Sequence, residues 1–96
     1  MNVRILSAAE YEFLDAVHYY NKECPGLGFE FAAEVQNTID RIKNNPEAWA
    51  PLSARIRRCL TQRFPFGVIY ELANDEILIV SIMHMNRHPE SWKKRL

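Results

Sequence analysis

The stretch Arg55-Ile56-Arg57-Arg58-Cys59-Leu60, followed by Phe64-Pro65-Phe66-Gly67-Val68-Ile69-Tyr70-Glu71-Leu72, decides the fold. In its first part Ile56, Arg58 and Leu60 alternate with Arg55, Arg57 and Cys59; in its second, Phe64, Phe66, Val68, Tyr70 and Leu72 take every second position. Successive side chains on a strand point to opposite faces, so a period of two predicts two strands, each with an apolar face to bury. Asn74-Asp75 marks a turn, and Ile77 to Met83 is a β-branched and apolar run of the kind found in a central strand.

Upstream the period changes to that of helices. Ser7 stands three residues before Glu10, which predicts a capping box at the start of a helix. Phe13, Val17, Tyr20 and Cys24 then form one core-facing stripe, and Pro25-Gly26-Leu27-Gly28 ends it. A second helix carries Ala32, Val35, Ile39 and Ile42 on one line, with Phe29 and Phe31 near its start, and Asn44-Asn45-Pro46 stops it. Asn2 to Leu6 reads as a short strand, Trp49-Ala50-Pro51-Leu52 as a loop, and Pro89 to Arg95 as one short helical turn opened by the proline. The expected architecture is α+β: an N-terminal strand, then an antiparallel helical hairpin packed on a curved antiparallel sheet, then a short C-terminal helical turn.

Ninety-six residues make a single domain over 1–96. A hydrophobic fraction of 48% with 25% charged residues excludes a disordered or collagen-like chain. The longest apolar run, Ile77–Val80, is far short of the ~18–20 residues of a membrane span, and Met1 to Leu6 holds no apolar core of signal-peptide length. Cys24 and Cys59 are too few for a disulfide scaffold and read as free thiols. A soluble, cytoplasmic protein is expected.

The net charge of zero hides an asymmetry. Residues 1–50 carry four basic side chains against eight acidic ones, and residues 51–96 carry the reverse. Such a split fits a one-sided basic surface facing an acidic partner or nucleic acid; it fits equally well solvated helix faces that hold the acids.

Motifs for chemistry are sparse. His18, Cys24, Cys59, His84 and His88 show no paired metal-ligand spacing, so no metal site is expected. No GxSxG elbow and no GxxxxGK[ST] loop occurs, and no cofactor is implied. The acids fall on the outer faces of the helices in this reading, which leaves the arginines and His84. Arginine is permanently charged, and its planar fork clamps phosphate or carboxylate. Arg55 and Arg57 share one strand face and Arg58 takes the other, so one of them must find a partner at the packed face or rim of the sheet. A solvated edge strand protected by charge is the alternative. His84 ends the apolar strand near Arg87, where a histidine serves as a general base or is satisfied by a backbone group. Trp92 reads as an aromatic that seals the core, with Lys93, Lys94 and Arg95 as a basic tail in water.

The segment Arg57-Arg58-Cys59-Leu60-Thr61-Gln62-Arg63-Phe64-Pro65-Phe66-Gly67-Val68-Ile69-Tyr70 resembles the RR…RFPYxVxY core of RelE/ParE-type toxins of bacterial type II toxin–antitoxin modules. Ile79 to Trp92, with His84, Arg87, Pro89 and Trp92 in place, resembles that superfamily's closing segment. The resemblance spans nearly the whole chain and implies a toxin of a plasmid-stabilisation module held inactive by a cognate antitoxin. ParE-like members inhibit DNA gyrase; RelE-like members cut mRNA on the ribosome.

Against the nuclease set, Gly67 replaces an arginine, Leu60 a lysine and Trp92 a tyrosine, which moves the chain toward the ParE branch. A ribonuclease built on this sequence would use Arg58 and Arg63 on phosphate and His84 as base. A degenerate, non-toxic relative is a further alternative. On the resemblance, Arg55, Arg57, Arg58, Arg63, Arg87 and Trp92 are the residues expected to meet target or antitoxin, with an acidic partner surface facing Arg55, Arg57 and Arg63.

Overall fold

A computed structural model describes residues 1–88 and 90–96. In chain order it contains β1 (Asn2–Ile5), α1 (Ser7–Glu23), α2 (Leu27–Asn44), β2 (Ala50–Pro51), β3 (Ile56–Leu60), β4 (Phe66–Ala73) and β5 (Glu76–His84), then a 3₁₀ turn at Lys93–Arg95. Pro89, expected to open that turn, lies outside the described residues. The sheet order is β1-β5-β4-β3-β2. From β5 to β2 all neighbours are antiparallel, as expected, but β1 lies parallel to β5, so the five-stranded sheet is mixed. Two helices between β1 and the remaining strands supply the long connection that a parallel pairing requires. Ala50–Pro51, read as loop, pairs with Arg57 and Arg58 as a two-residue edge strand.

The helical hairpin covers one face of the sheet. Phe31, Val35, Ile39 and Ile42 of α2 meet Phe66, Val68 and Tyr70 of β4, the period-two set of the sequence. Phe31 stands edge-on to Phe64 and Phe66, ring centroids 5.2 and 4.8 Å apart. On β5, Ile77, Ile79 and then Ile82 face the helices. The change of parity follows from a bulge: Ile69 pairs with Ser81 and Tyr70 with Ile79, leaving Val80 as the extra residue. Val80 and Met83 thereby join Ile56, Ile69 and Trp92 in a smaller core on the face away from the helices. Trp92, 5% exposed, seals that second core.

The β4–β5 loop is two residues long, with Asn74 and Asp75 at φ 52° and 58°. Both belong to residue types that tolerate the left-handed region, and the pair matches the hairpin turn whose twist suits the flanking strands.

Two details differ from the sequence reading. The Leu6 N–H donates to the Ile79 carbonyl, so the chain stays in the sheet through Leu6 and Ser7 is already the first helical residue. Leu6 occupies the cap position and no side-chain cap forms, which removes the expected Ser7–Glu10 box. Cys24 stands beyond the end of α1 in extended conformation and is exposed, leaving Phe13, Val17 and Tyr20 as the stripe that reaches the core.

Tyr70 is fully buried and its hydroxyl donates to the Pro46 carbonyl, tying β4 to the segment after α2. Burial pushes its phenol up to about 12, with nearby Arg57 opposing. A phenol titrating near 10 in the unfolded chain therefore contributes stability fully below that pH, and the contribution is lost as pH rises to about 12. Equilibrium unfolding followed from pH 9 to pH 12 is expected to steepen above pH ~10 in the wild type and to do so less in Tyr70→Phe.

Candidate functional site: a basic cavity away from the helices

The arginine cluster is divided among three surroundings. Arg57, on the helix side of β3 at the rim of the sheet, donates to the carbonyls of Glu47 and Trp49 at 3.0 and 2.9 Å and so anchors the loop before β2. It is the member that finds a partner at the rim. Arg63 pairs with Glu30 of α2 at 2.8 Å, its guanidinium 5.4 Å from the centre of the Phe64 ring. Arg55 is exposed on the approach to β3. Arg58 turns the other way, away from the helices.

Arg58 lines a cavity of about 190 Å³ together with His84, Arg87, Lys93 and Trp92, over an apolar floor that includes Ile69 and Met83. Its side chain runs across Gly67 of β4: a methyl on Gly67 would come within 3.1 Å of Arg58 Cδ and 3.2 Å of Cγ. The position read as a missing nuclease arginine is thus the seat of another arginine. Among the described residues Arg58 Nε is buried without a hydrogen-bond partner, and so is the indole N–H of Trp92. At the rim, Lys93 is neutralised by Glu90 at 2.9 Å, and Lys93 holds the Glu90 carboxyl below its usual range.

His84 ends β5, its ring edge-on to Phe66 with centroids 5.2 Å apart. Its Nδ1 accepts the Asn86 N–H at 3.0 Å, and its carbonyl accepts the Arg87 N–H at 3.0 Å, so the turn after β5 folds back on the histidine. With Nδ1 an acceptor, the neutral ring carries its proton on Nε2; the remaining nitrogen is a donor. His84 and Arg87 also line a larger groove of about 790 Å³ along α1, bordered by Tyr11, Tyr19 and Tyr20.

The site residues named from sequence therefore do not form one patch. Arg58, His84, Arg87 and Trp92 come together. Arg63, needed beside Arg58 and His84 by the ribonuclease reading, is held by Glu30 outside the cavity. Arg57 is held by backbone carbonyls and Arg63 by Glu30, and of the three arginines expected to face an acidic partner Arg55 alone is exposed with no side-chain partner among the described residues.

Two acids escaped the sequence reading. Glu12 turns inward from α1: its carboxylate accepts from the two terminal Arg95 nitrogens, Nη1 and Nη2, at 2.7 and 3.0 Å, from the Ser81 hydroxyl at 2.9 Å and from the Ile82 N–H at 3.1 Å. Arg95 also donates to the Val80 carbonyl at 3.0 Å, so it is not a solvated tail, and the hydrogen bond to Glu12 raises its pKa. Glu34 of α2, also buried, accepts the Gln62 N–H at 3.0 Å and lies 3.7 Å from Arg41. Ala9 and Ala16, three before and four after Glu12, are the sequence signal that its helix face is buried.

No helix among the described residues is long and apolar enough to cross a membrane. No curated protein matches the chain. A solved structure of a chromosomal ParDE TA system from P. aeruginosa shares the fold, with a TM-score of 0.77 at 15% identity over 88% of this chain and 95% of that one. The family model of the ParE toxin of the type II toxin-antitoxin system parDE matches residues 3–89, and the chain belongs to that family.

Proposed function

We propose that this chain is the toxin of a plasmid-stabilisation module, acting in the cytoplasm by binding a protein target, DNA gyrase, and neutralised by a cognate antitoxin. The observation that carries the reading is Arg58, whose buried Nε has no hydrogen-bond partner among the described residues, in a cavity with His84 and Arg87. Cleaving RNA asks for a base at the 2′-hydroxyl, and the Nδ1 of His84 is already engaged by the Asn86 N–H. Binding asks only for charge and shape. The antitoxin fits the exposed large side chains on the helices: Tyr11, Leu14, Tyr19 and Phe29 are between 51 and 74% exposed, and an amphipathic partner segment would cover them.

Supercoiling by purified gyrase is expected to fall as the full chain is added and to recover when the product of the neighbouring small reading frame is supplied. Supercoiling untouched at high molar excess overturns the target. Cleavage of ribosome-bound mRNA that His84→Ala abolishes would instead support the nuclease reading, for which the gathering of His84 with Arg58 and Arg87 speaks. Induction without growth arrest would mark a non-toxic relative.

A further inference from the structure

We propose that the cavity holding Arg58 is a receptor for one carboxylate side chain, presented by an otherwise apolar segment of a partner protein, and that Gly67 is the positioning residue that seats Arg58 for it. The proposal deepens the binding reading above and rests on it.

Two buried N–H groups in the residues that line one cavity, Arg58 Nε and Trp92 Nε1, have no acceptor among the described residues. Buried donors are nearly always paired, so an orphan on each of two residues that line one cavity marks that cavity as short of an acceptor, and one brought by a partner reaches them by displacing the side chains that cover them. A guanidinium favours a planar, two-oxygen acceptor. The unopposed charge at the cavity is that of Arg58 and Arg87, because Glu90 already engages Lys93. His84, which also lines the cavity, adds a further hydrogen-bonding ring nitrogen, Nε2, since its Nδ1 is taken by the Asn86 N–H.

Size and wall chemistry choose between carboxylate and phosphate. About 190 Å³ is below the ~300–1,000 Å³ of sites that engulf a whole small molecule. The walls contributed by Leu52, Ile69, Met83 and Met85 are apolar. A single carboxylate with methylenes behind it fits such a space; a sugar–phosphate chain, which stays hydrated along its length, does not.

The seat is set by what residue 67 lacks. Arg58 Cγ and Cδ lie where a Cβ on residue 67 would crowd them at 3.2 and 3.1 Å, so an alanine there pushes the arginine stem aside by a few tenths of an ångström and re-aims its guanidinium. Gly67 is therefore expected to govern carboxylate affinity without touching the carboxylate.

The test is a titration of the ¹⁵N-labelled full chain with propionate and, in parallel, with inorganic phosphate and propionamide, following the Arg58 Nε–H and Trp92 Nε1–H resonances. Saturable shifts of both are expected with propionate, weaker ones with phosphate and none with propionamide. Arg58→Lys and Gly67→Ala are each expected to weaken propionate binding by about tenfold, with the rest of the spectrum, and so the fold, unchanged. Resonances indifferent to propionate overturn the proposal, as does tighter binding of phosphate than of propionate, or a Gly67→Ala protein that binds as the wild type does. Because the readout involves neither gyrase nor growth, a non-toxic chain that still binds propionate keeps the site and loses only the functional reading.

Discussion

Glu12→Ala is expected to lower the free energy of unfolding by about 2–4 kcal/mol, and the melting temperature by roughly 10–25 °C for a domain of this size. The magnitude comes from what the carboxylate does at the edge of the sheet. β1 covers β5 only as far as Ile79, and beyond it the Ile82 N–H and the Val80 carbonyl face no strand. Glu12 accepts the first and Arg95 donates to the second, while the two side chains pair with each other, so an ion pair completes the hydrogen bonding that a longer β1 would have made. Their side chains are 11 and 20% exposed, so removal of Glu12 leaves a poorly solvated guanidinium, an orphaned backbone donor and an unpaired Ser81 hydroxyl. Glu10→Ala, two residues earlier on the same helix and exposed, is the control and is expected to change stability by no more than ~0.5 kcal/mol. A Glu12→Ala protein that unfolds in urea at the wild-type midpoint would sink this account of the edge.

Gly28→Ala, in the first turn of α2, is expected to cost about 2–3 kcal/mol. Gly28 lies against the backbone of α1 with no room for a side chain. A methyl there would overlap the Val17 carbonyl oxygen of α1 and lie 2.6 Å from Asn21 Cγ, and the Gly28 N–H donates to Asn21 Oδ1 at 2.8 Å. Trimming the side chain in Asn21→Ala/Gly28→Ala is expected not to restore stability, since the Val17 obstacle is main chain. A stabilised Gly28→Ala protein, measured by thermal unfolding, would mean that the hairpin opens freely at this contact.

The strands were legible because the face of β4 turned to the helices holds the large apolar side chains Phe66, Val68 and Tyr70 at every second position, although Ile56 and Ile69 are buried on the opposite face as well. The division of Arg57 from Arg58 followed from the same period. What periodicity could not convey was the partner of a long polar side chain. Glu12 and Glu34 read as surface acids because their partners, Arg95 and the Gln62 N–H, lie 83 and 28 residues further on. The capping box at Ser7 failed for a related reason: a ladder bond from Leu6 to Ile79, far along the chain, moved the helix start by one residue. The parallel placement of β1 carries no local signal at all. At the site, Arg58, His84, Arg87 and Trp92 were each visible, but their gathering depends on the bulge at Val80 and on the return of the C-terminal turn over Ile69.

Growth arrest on induction of Arg58→Gln, compared with Arg63→Gln at equal expression and with melting temperatures matched to wild type, tests most directly whether the cavity is the acting surface. The expected result is that Arg58→Gln weakens target binding by about thirtyfold or more and no longer arrests growth, while Arg63→Gln, which loses an exposed pair with Glu30 and a contact over the Phe64 ring outside the cavity, remains toxic. Arrest by Arg58→Gln as strong as that of the wild type would contradict the assignment.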